Sequence, residues 1–133
     1  MKTLISLLFG GWLLAAALPG SAQGNDQLPP VRAALASGSS RGLTPYLAAS
    51  VEVGFDGDKQ AYNTAQAELV LRNFFAKNPP ASFDIVHQGA SNEGIPYAIG
   101  QYVARGGGSY RVFIKLKPKT SSPVIDTLDF TRE

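Results

Sequence analysis

The segment spanning residues 63–89, NTAQAELVLRNFFAKNPPASFDIVHQG, constrains the fold most because its periodicity changes at a double proline. Before the prolines, apolar residues recur at spacings of three and four, which indicates an amphipathic helix. Asn63 can cap that helix, and Gln66 has the position of a capping-box partner. The prolines predict that the helix ends near Lys77, and the alternation after them predicts a strand. The apolar face of the predicted helix comprises Ala67, Val70, Leu71, Phe74 and Phe75.

The residues ahead of this helix predict shorter elements. Residues 23–30 read as a polar linker, and a short helix is predicted from Val31 to about Ser37 with two prolines at its entry. The stretch LTPYLAAS predicts another helical turn, since proline is tolerated in a first turn. The alternating SVEVGF predicts a strand, and DGD followed by a strand from Lys59 to Tyr62 completes a hairpin.

The remainder of the chain predicts a meander of four antiparallel strands. Apolar segments are separated by ASNEG, GGG and PKTSS, which are rich in turn-forming residues. The predicted strands are Ala81–Gly89, Pro96–Arg105, Ser109–Lys117 and Pro123–Thr131. Helices packed on this sheet give a single α+β domain over residues 31–133, large enough to bury roughly 60–70% of its unfolded-chain surface.

Matching apolar residues across the strands predicts a register and two faces, because a slip of one residue reverses every side chain. The matching places Val103 opposite Val112, Val112 opposite Leu128, and Ile85 opposite Ile99. The face predicted to meet the helix comprises Phe83, Ile85, His87, Tyr97, Ile99, Gln101, Val103, Tyr110, Val112, Ile114, Leu116, Val124, Asp126, Leu128 and Phe130. The reverse face is predicted to hold Asp84, Tyr102, Arg111, Phe113, Lys115, Lys117, Thr127 and Asp129.

The N-terminal sequence MKTLISLLFGGWLLAAALPGSAQG predicts a signal peptide over residues 1–22. Lys2 precedes an uncharged apolar run from Leu4 to Leu18, and small residues follow at Gly20 and Ala22. The run is shorter than the roughly 20 residues that cross a bilayer core, which disfavours a membrane helix. Cleavage after Ala22 predicts an exported protein, periplasmic or secreted, with no membrane segment.

Charge and cysteine content exclude several classes of function. Lys2 is one of 12 Lys and Arg residues, so its removal leaves 11 against 10 Asp and Glu and a net charge of about +1. That balance does not favour nucleic-acid binding. The chain has no cysteine, which excludes disulfides, thiolate metal sites and cysteine nucleophiles. With a single histidine as well, we expect neither a metal nor a cofactor.

The order of these motifs resembles a known family. YNTAQAELVLRNFF, FDIVHQG, YAIGQY and GSYRVFIKLK are similar to segments of small exported bacterial proteins of unknown function, and the similarity covers nearly all of residues 31–131. The architecture resembles the cone of the nuclear transport factor two-like (NTF2-like) superfamily, in which helices pack on a strongly bent antiparallel sheet. That superfamily includes enzymes, scaffolds and ligand binders, so the resemblance implies the fold and leaves function open. Its polyketide cyclases and ketosteroid isomerases are similar in architecture only, and no catalytic residue maps onto this chain.

Polar groups on the predicted inner face suggest a candidate site. They are His87, Tyr97, Gln101 and Asp126. One interpretation is a pocket between helix and sheet, walled by Phe74 and Phe75, in which the aspartate can act as a base and the tyrosine as a hydrogen-bond donor. The other is that these groups satisfy helix ends and loops or lie at a wet rim, because burial without partners is costly.

The reverse face predicts an interaction surface. Tyr102 and Phe113 are predicted to lie opposite one another there and to form the centre of a homodimer through the sheet. The basic cluster comprises Arg105, Arg111, Lys115, Lys117 and Lys119. It reads either as a docking patch for an anionic partner or as a solvated face with a cross-strand Arg111–Asp129 pair.

Two classes of function follow from these features. The favoured one is an exported, non-catalytic module that binds a small apolar ligand or a protein partner. The alternative is a small lyase or isomerase that uses the pocket aspartate.

Overall fold

The computed structural model describes residues 28–118 and 120–133. The predicted signal peptide and most of the predicted linker lie outside the described residues. The helical elements are α1 (Pro29–Ser37), α2 (Ser40–Leu43), a 3-10 turn (Thr44–Tyr46) and α3 (Thr64–Lys77). The strands are β1 (Leu47–Phe55), β2 (Asp58–Asn63), β3 (Pro80–Ala90), β4 (Pro96–Ala104), β5 (Ser109–Leu116) and β6 (Ile125–Arg132). None of the helices formed by these residues is long and apolar enough to cross a membrane.

Helix α1 begins two residues earlier than predicted, at Pro29. Proline fits the first turn because the N–H that it lacks has no partner inside the helix there. Leu28 is 3% exposed and belongs to the core, so the folded domain begins before the predicted boundary at residue 31. The helical turn predicted in LTPYLAAS ends at Tyr46, and the rest of that stretch extends β1.

Helix α3 confirms the prediction made from its sequence. Asn63 accepts a hydrogen bond from the Gln66 amide at 2.8 Å, and the Gln66 side chain accepts one from the Asn63 amide at 3.1 Å. This reciprocal capping box satisfies two amides that have no partner within the helix. The helix ends at Lys77, before the double proline.

The six strands form one curved sheet in the order β2-β1-β6-β5-β4-β3. The four-strand meander is confirmed, since each of its neighbouring pairs is antiparallel. Strand β1 runs parallel to β6, which joins the N-terminal hairpin to the meander. The sheet therefore has two edges, at β2 and β3.

The side chains of strand β4 lie on the opposite faces of the sheet from those predicted. Tyr102 pairs with Tyr110, whereas apolar matching had placed Val103 opposite Val112. The cause is a tight turn over residues 104–108, closed by a 2.8 Å backbone hydrogen bond, since turn length fixes the register of a hairpin. The offset is odd, so every side chain of β4 lies on the other face. The residues that it turns outward are Tyr97, Ile99, Gln101 and Val103.

Two bulges move two further residues to the outer face. In β3 the pairing shifts between Ile85 and His87, and in β6 it shifts next to Asp126, which has no partner in the ladder. An extra residue in one strand reverses the alternation beyond it. Phe83 and Ile85 therefore face the helix as predicted, while the predicted inward positions of His87 and Asp126 are wrong.

Strands β5 and β6 pair two residues away from the predicted register, with Val112 opposite Phe130. An even offset preserves the faces, so the inward residues of β5 were predicted correctly. The predicted Arg111–Asp129 pair is wrong, because Arg111 lies 3.7 Å from Glu133 and Asp129 lies 3.6 Å from Lys59. The sheet residues buried against the helices include Val51, Val53, Phe83, Ala98, Tyr102, Ala104, Tyr110, Val112, Ile114, Leu116, Ile125, Leu128 and Phe130.

Candidate functional site

A groove of about 290 Å³ opens between the end of β1 and the last two turns of α3. The residues that line it are Phe55, Val70, Asn73, Phe74, Lys77 and Asn78. The helical positions 70, 73, 74 and 77 share one face because they are three and four residues apart. The groove thus combines an apolar floor with two amide groups and one ammonium group.

Aromatic packing forms the floor. The ring of Phe74 lies 5.2 Å from that of Phe55, 4.5 Å from that of Phe130 and 5.1 Å, edge to face, from that of Tyr110. Offset and edge-to-face pairs at these distances each contribute roughly 0.5–1.5 kcal/mol beyond the burial of their area. The floor is therefore rigid before any ligand arrives.

The first wall, at Phe55, is fixed by the residue that follows it. Asp56 has a φ of 55°, and its amide donates to the Phe130 carbonyl at 2.8 Å. Its carboxylate accepts a hydrogen bond from the Arg132 amide at 2.7 Å. Aspartate tolerates a positive φ better than most residues, and both bonds keep the end of β1 against β6.

The second wall, at Asn78, is held by a chain of hydrogen bonds. The Tyr110 hydroxyl donates to the Asn78 side-chain oxygen at 3.3 Å and accepts from the Arg132 guanidinium at 2.9 Å. The guanidinium also lies 5.1 Å from the centre of the Tyr110 ring. Arg132 therefore connects both walls, through its amide to Asp56 and through its side chain to Asn78.

Tyr102 supports the same wall from inside the core. Its hydroxyl donates to the Asn78 carbonyl. Burial raises the pKa of Tyr102 well above its usual value, and the neighbouring Tyr110 adds to the rise. The phenol therefore stays protonated and acts as a donor throughout the ordinary pH range.

Of the residues predicted for the pocket, the structure places Phe74 in the groove and Phe75 behind it in the core, 6.1 Å from the Tyr102 ring. The four polar candidates lie on the outer face instead. His87 contacts Tyr97, with Nε2 and the hydroxyl 3.2 Å apart, and Gln101 donates to Glu133 at 2.7 Å. Asp126 lies 3.8 Å from Lys115. The predicted common pocket is therefore wrong, since the reversed β4 and the two bulges separate its members from Phe74.

The predicted interface residues are also separated. Tyr102 is 0% exposed and faces the helix, so it cannot contact a partner at the sheet surface. Phe113 remains on the outer face, half-buried, with its ring 5.9 Å from that of Tyr97. The basic cluster is partly neutralised there by the pairs of Arg111 with Glu133 and Lys115 with Asp126.

Sequence reasoning missed most of the groove. Val70 was assigned to the apolar face of the helix, but Asn73 and Lys77 were not considered, although they continue the same face toward the double proline. The change from apolar to polar residues along this face, just before the break, was the signal that the sequence offered. Phe55 carried no such signal, because its role depends on the turn at Asp56.

The curved sheet, the α3 helix on its inner side and the groove between them together define the fold class of the protein. An NTF2-like protein of unknown function from Shewanella baltica matches with a TM-score of 0.61 at 12% identity, covering 82% of this chain and 90% of that chain. The fold is therefore NTF2-like, as the resemblance implied.

Residues 28–131 match the family described as Domain of unknown function (DUF4783), and the chain belongs to this family. A DUF4783 protein from Bacteroides ovatus is similar at 27% identity with a TM-score of 0.72, covering 79% of this chain and 94% of that chain. One from Bacteroides uniformis is similar at 24% identity with a TM-score of 0.70, covering 78% and 94%. A comparison with curated proteins finds no match.

Proposed function

We propose that this protein is an exported, non-catalytic module that binds a small apolar ligand in the groove between β1 and α3. The observation that carries the proposal is the groove itself, whose aromatic floor and both walls are held in place without a ligand. Its volume, about 290 Å³, lies just below the roughly 300–1,000 Å³ usual for small-molecule sites, so the groove suits a small ligand. A preformed apolar site binds without the entropic cost of ordering its own walls.

The catalytic alternative loses the residue on which it depended. Asp126 lies on the outer face beside Lys115, remote from the groove floor. Within residues 28–118 and 120–133, the groove is lined by amides, a lysine and apolar side chains, with no carboxylate. The proposed lyase or isomerase relied on a carboxylate base, and such a base must lie within hydrogen-bond reach of the substrate. The lining therefore favours binding over proton transfer.

Filling the groove tests the proposal. Naphthamide, a flat neutral probe, should shift the amide NMR signals of Asn73, Lys77 and Asn78 in the purified protein. Val70→Trp should remove this binding, because the larger side chain occupies the site. Leu69→Trp is the matched control, since Leu69 is the adjacent residue of the helix. Its side chain is 52% exposed and does not line the groove. Unchanged binding by Val70→Trp, in a variant that still folds, would show that the probe binds elsewhere.

We further propose that the outer face of the sheet mediates a homodimer, with Phe113 near its centre in place of the predicted Tyr102–Phe113 pair. The support is a half-buried Phe113–Tyr97 ring pair surrounded by charged pairs of both signs. A second copy presents the same mixture and is therefore electrostatically compatible. Phe113→Glu should shift sedimentation toward monomer, whereas Leu69→Glu on the helix should not. A wild-type protein that stays monomeric at high concentration contradicts the proposal.

Export rests on the N-terminal sequence. A basic residue, an apolar run and a small-residue exit before Gln23 support cleavage after Ala22. Mass spectrometry of the protein made by a secreting host should show the loss of residues 1–22. Recovery of the intact chain from the cytoplasm would contradict it.

A further inference from the structure

Lys77 is a cation whose charge is unpaired in the described part of the chain. It lines the groove, and it forms neither an ion pair nor a side-chain hydrogen bond with residues 28–118 or 120–133. Lys59 and Lys115 on the outer face differ, since each lies within 4 Å of an aspartate. The ammonium of Lys77 is therefore available to a ligand in the groove.

A lysine in the last turn of a helix often serves the helix itself, by offsetting the partial negative charge of the terminal carbonyls. Here, Asn78 already satisfies one of those carbonyls. The backbone and side-chain N–H groups of Asn78 donate to the Phe74 carbonyl at 2.8 and 3.2 Å. Just beyond the helix, the Tyr102 hydroxyl donates to the Asn78 carbonyl, and the Arg105 amide donates to that of Pro79. The Lys77 ammonium itself forms no hydrogen bond with the described residues, so a ligand would displace no partner from it.

Two further hydrogen-bond donors lie in the groove or behind it. The Asn73 side chain forms no hydrogen bond with the residues that the structure describes, so its amide N–H groups are free to donate. The Arg132 guanidinium donates to the Tyr110 hydroxyl, which in turn donates to Asn78. No carboxylate of residues 28–118 or 120–133 forms an ion pair with this guanidinium. Among these residues, the lining thus has one cation, Lys77, and one free amide and no acid. The Asp56 carboxylate next to Phe55 lies outside the lining, where it accepts from the Arg132 amide.

We propose that the groove selects acidic ligands, specifically a flat apolar body that carries one carboxylate. The ring would stack on Phe55 and Phe74, and the carboxylate would accept hydrogen bonds from the Lys77 ammonium and the Asn73 amide. A charge-assisted hydrogen bond to a carboxylate is stronger than a neutral one, which supplies the selectivity. This inference rests on the proposed binding function of the same groove.

The test compares two probes of nearly equal shape, naphthoate and naphthamide, by NMR titration of the purified protein at low salt. Naphthoate should bind about three- to tenfold more tightly, which corresponds to about 0.6–1.4 kcal/mol. The difference should shrink as salt is added, because ions screen an exposed charge. Lys77→Gln should bring the two affinities together, and Lys117→Gln, an exposed lysine outside the lining, should leave the difference unchanged.

The outcomes separate the two proposals. Equal binding of both probes in the groove would overturn the acidic selectivity and leave the binding function standing. A preference that survives in Lys77→Gln would overturn the role of this lysine. Failure of both probes to bind the groove would overturn the binding function and the inference with it. Because Lys77 is exposed, its substitution should not impair folding, which urea denaturation checks.

Discussion

Phe74 on the inner side of the sheet and Phe113 on its outer side illustrate how differently the two faces are built. Phe74 is 8% exposed and packs against the rings of Phe55, Tyr110 and Phe130. Phe113 is half-buried and contacts the ring of Tyr97 at 5.9 Å. The same residue type is thus part of the core on one face and part of a surface patch on the other.

Polar groups differ between the faces in the same way. On the inner side, the hydroxyls of the buried Tyr102 and Tyr110 both donate to Asn78 at the wall of the groove. On the outer side, Lys59 lies 3.6 Å from Asp129 and Lys115 lies 3.8 Å from Asp126, and these pairs are partly exposed. Exposed ion pairs contribute roughly 0–1 kcal/mol because water and salt screen them. The inner face therefore defines a fixed shape, and the outer face remains adaptable.

The largest effect on stability is expected from a substitution that tests this difference in packing between the two faces. Phe74→Ala should lower the free energy of unfolding by about 3–5 kcal/mol, because it leaves a cavity among aromatic rings that cannot collapse. Phe113→Ala should cost only about 1 kcal/mol, as is usual for a partly exposed position. Urea denaturation of both variants measures the two values. Equal losses would mean that the outer face is packed as tightly as the inner one.

A smaller effect is expected at glycines on the two faces. A Cβ atom at Gly100 would lie 2.3 Å from the Phe83 ring and 3.1 Å from the Asp84 carbonyl, neither of which has room to move. Gly100→Ala should therefore cost about 1–3 kcal/mol through overpacking. At Gly54, on the outer face, the added atom would lie 2.7 Å from both the Asp129 carboxylate and Cγ of Lys59, and the half-exposed Lys59 side chain can move at the expense of its weak ion pair with Asp129.

Gly54→Ala is the matched control, and its cost should stay below about 1 kcal/mol, since replacing glycine in a strand also reduces the entropy of the unfolded chain. Thermal unfolding of the two variants provides the comparison. A larger loss for Gly54→Ala than for Gly100→Ala would contradict the assignment of the rigid face.

The bounds of helix α3 could be predicted closely, whereas the faces of the sheet could not. Asn63, Gln66 and the double proline are local signals, and the capping box follows from residues three apart. The orientation of β4 depends on competition between a tight turn and the matching of Val103 with Val112, and the turn prevailed. Helix caps and helix ends can be predicted from neighbouring residues in a single sequence, but the pairing between strands is decided by several interactions together.

The same limit explains the candidate site. Strand β4 has apolar residues on both faces, and apolar matching across the strands favoured the face with Ile99 and Val103 over that with Ala98 and Ala104. The smaller residues face inward because the Phe83 ring and the helices occupy the space above them. Glycine at position 100, directly beneath that ring, was the one sequence signal for the true orientation.

The smallest expected effect concerns a polar network on the solvent side of α3. Glu68 accepts hydrogen bonds at 2.9 Å from Arg72 and from the Ser40 hydroxyl. These bonds, with that from Arg72 the larger, hold the pKa of Glu68 below its ordinary value of 4.5. The separations are shorter than the 3.6–3.8 Å of Lys59 and Lys115 on the outer face, so this pair has the better geometry.

The sign of the pH dependence follows from linkage. A carboxylate whose pKa is lower in the folded state stabilises the fold above its ordinary value, and that stabilisation disappears as the pH falls through the folded pKa. Arg72→Gln and Ser40→Ala should both raise the pKa of Glu68, the first by more, and both should destabilise at neutral pH while making less difference near pH 3. Arg111→Gln on the outer face is the control and should not move this titration. NMR titration of the Glu68 carboxylate, followed in each variant, measures the pKa directly. If Arg72→Gln left it unchanged, the bonds at 2.9 Å would be no stronger in solution than the looser pairs on the other side of the sheet.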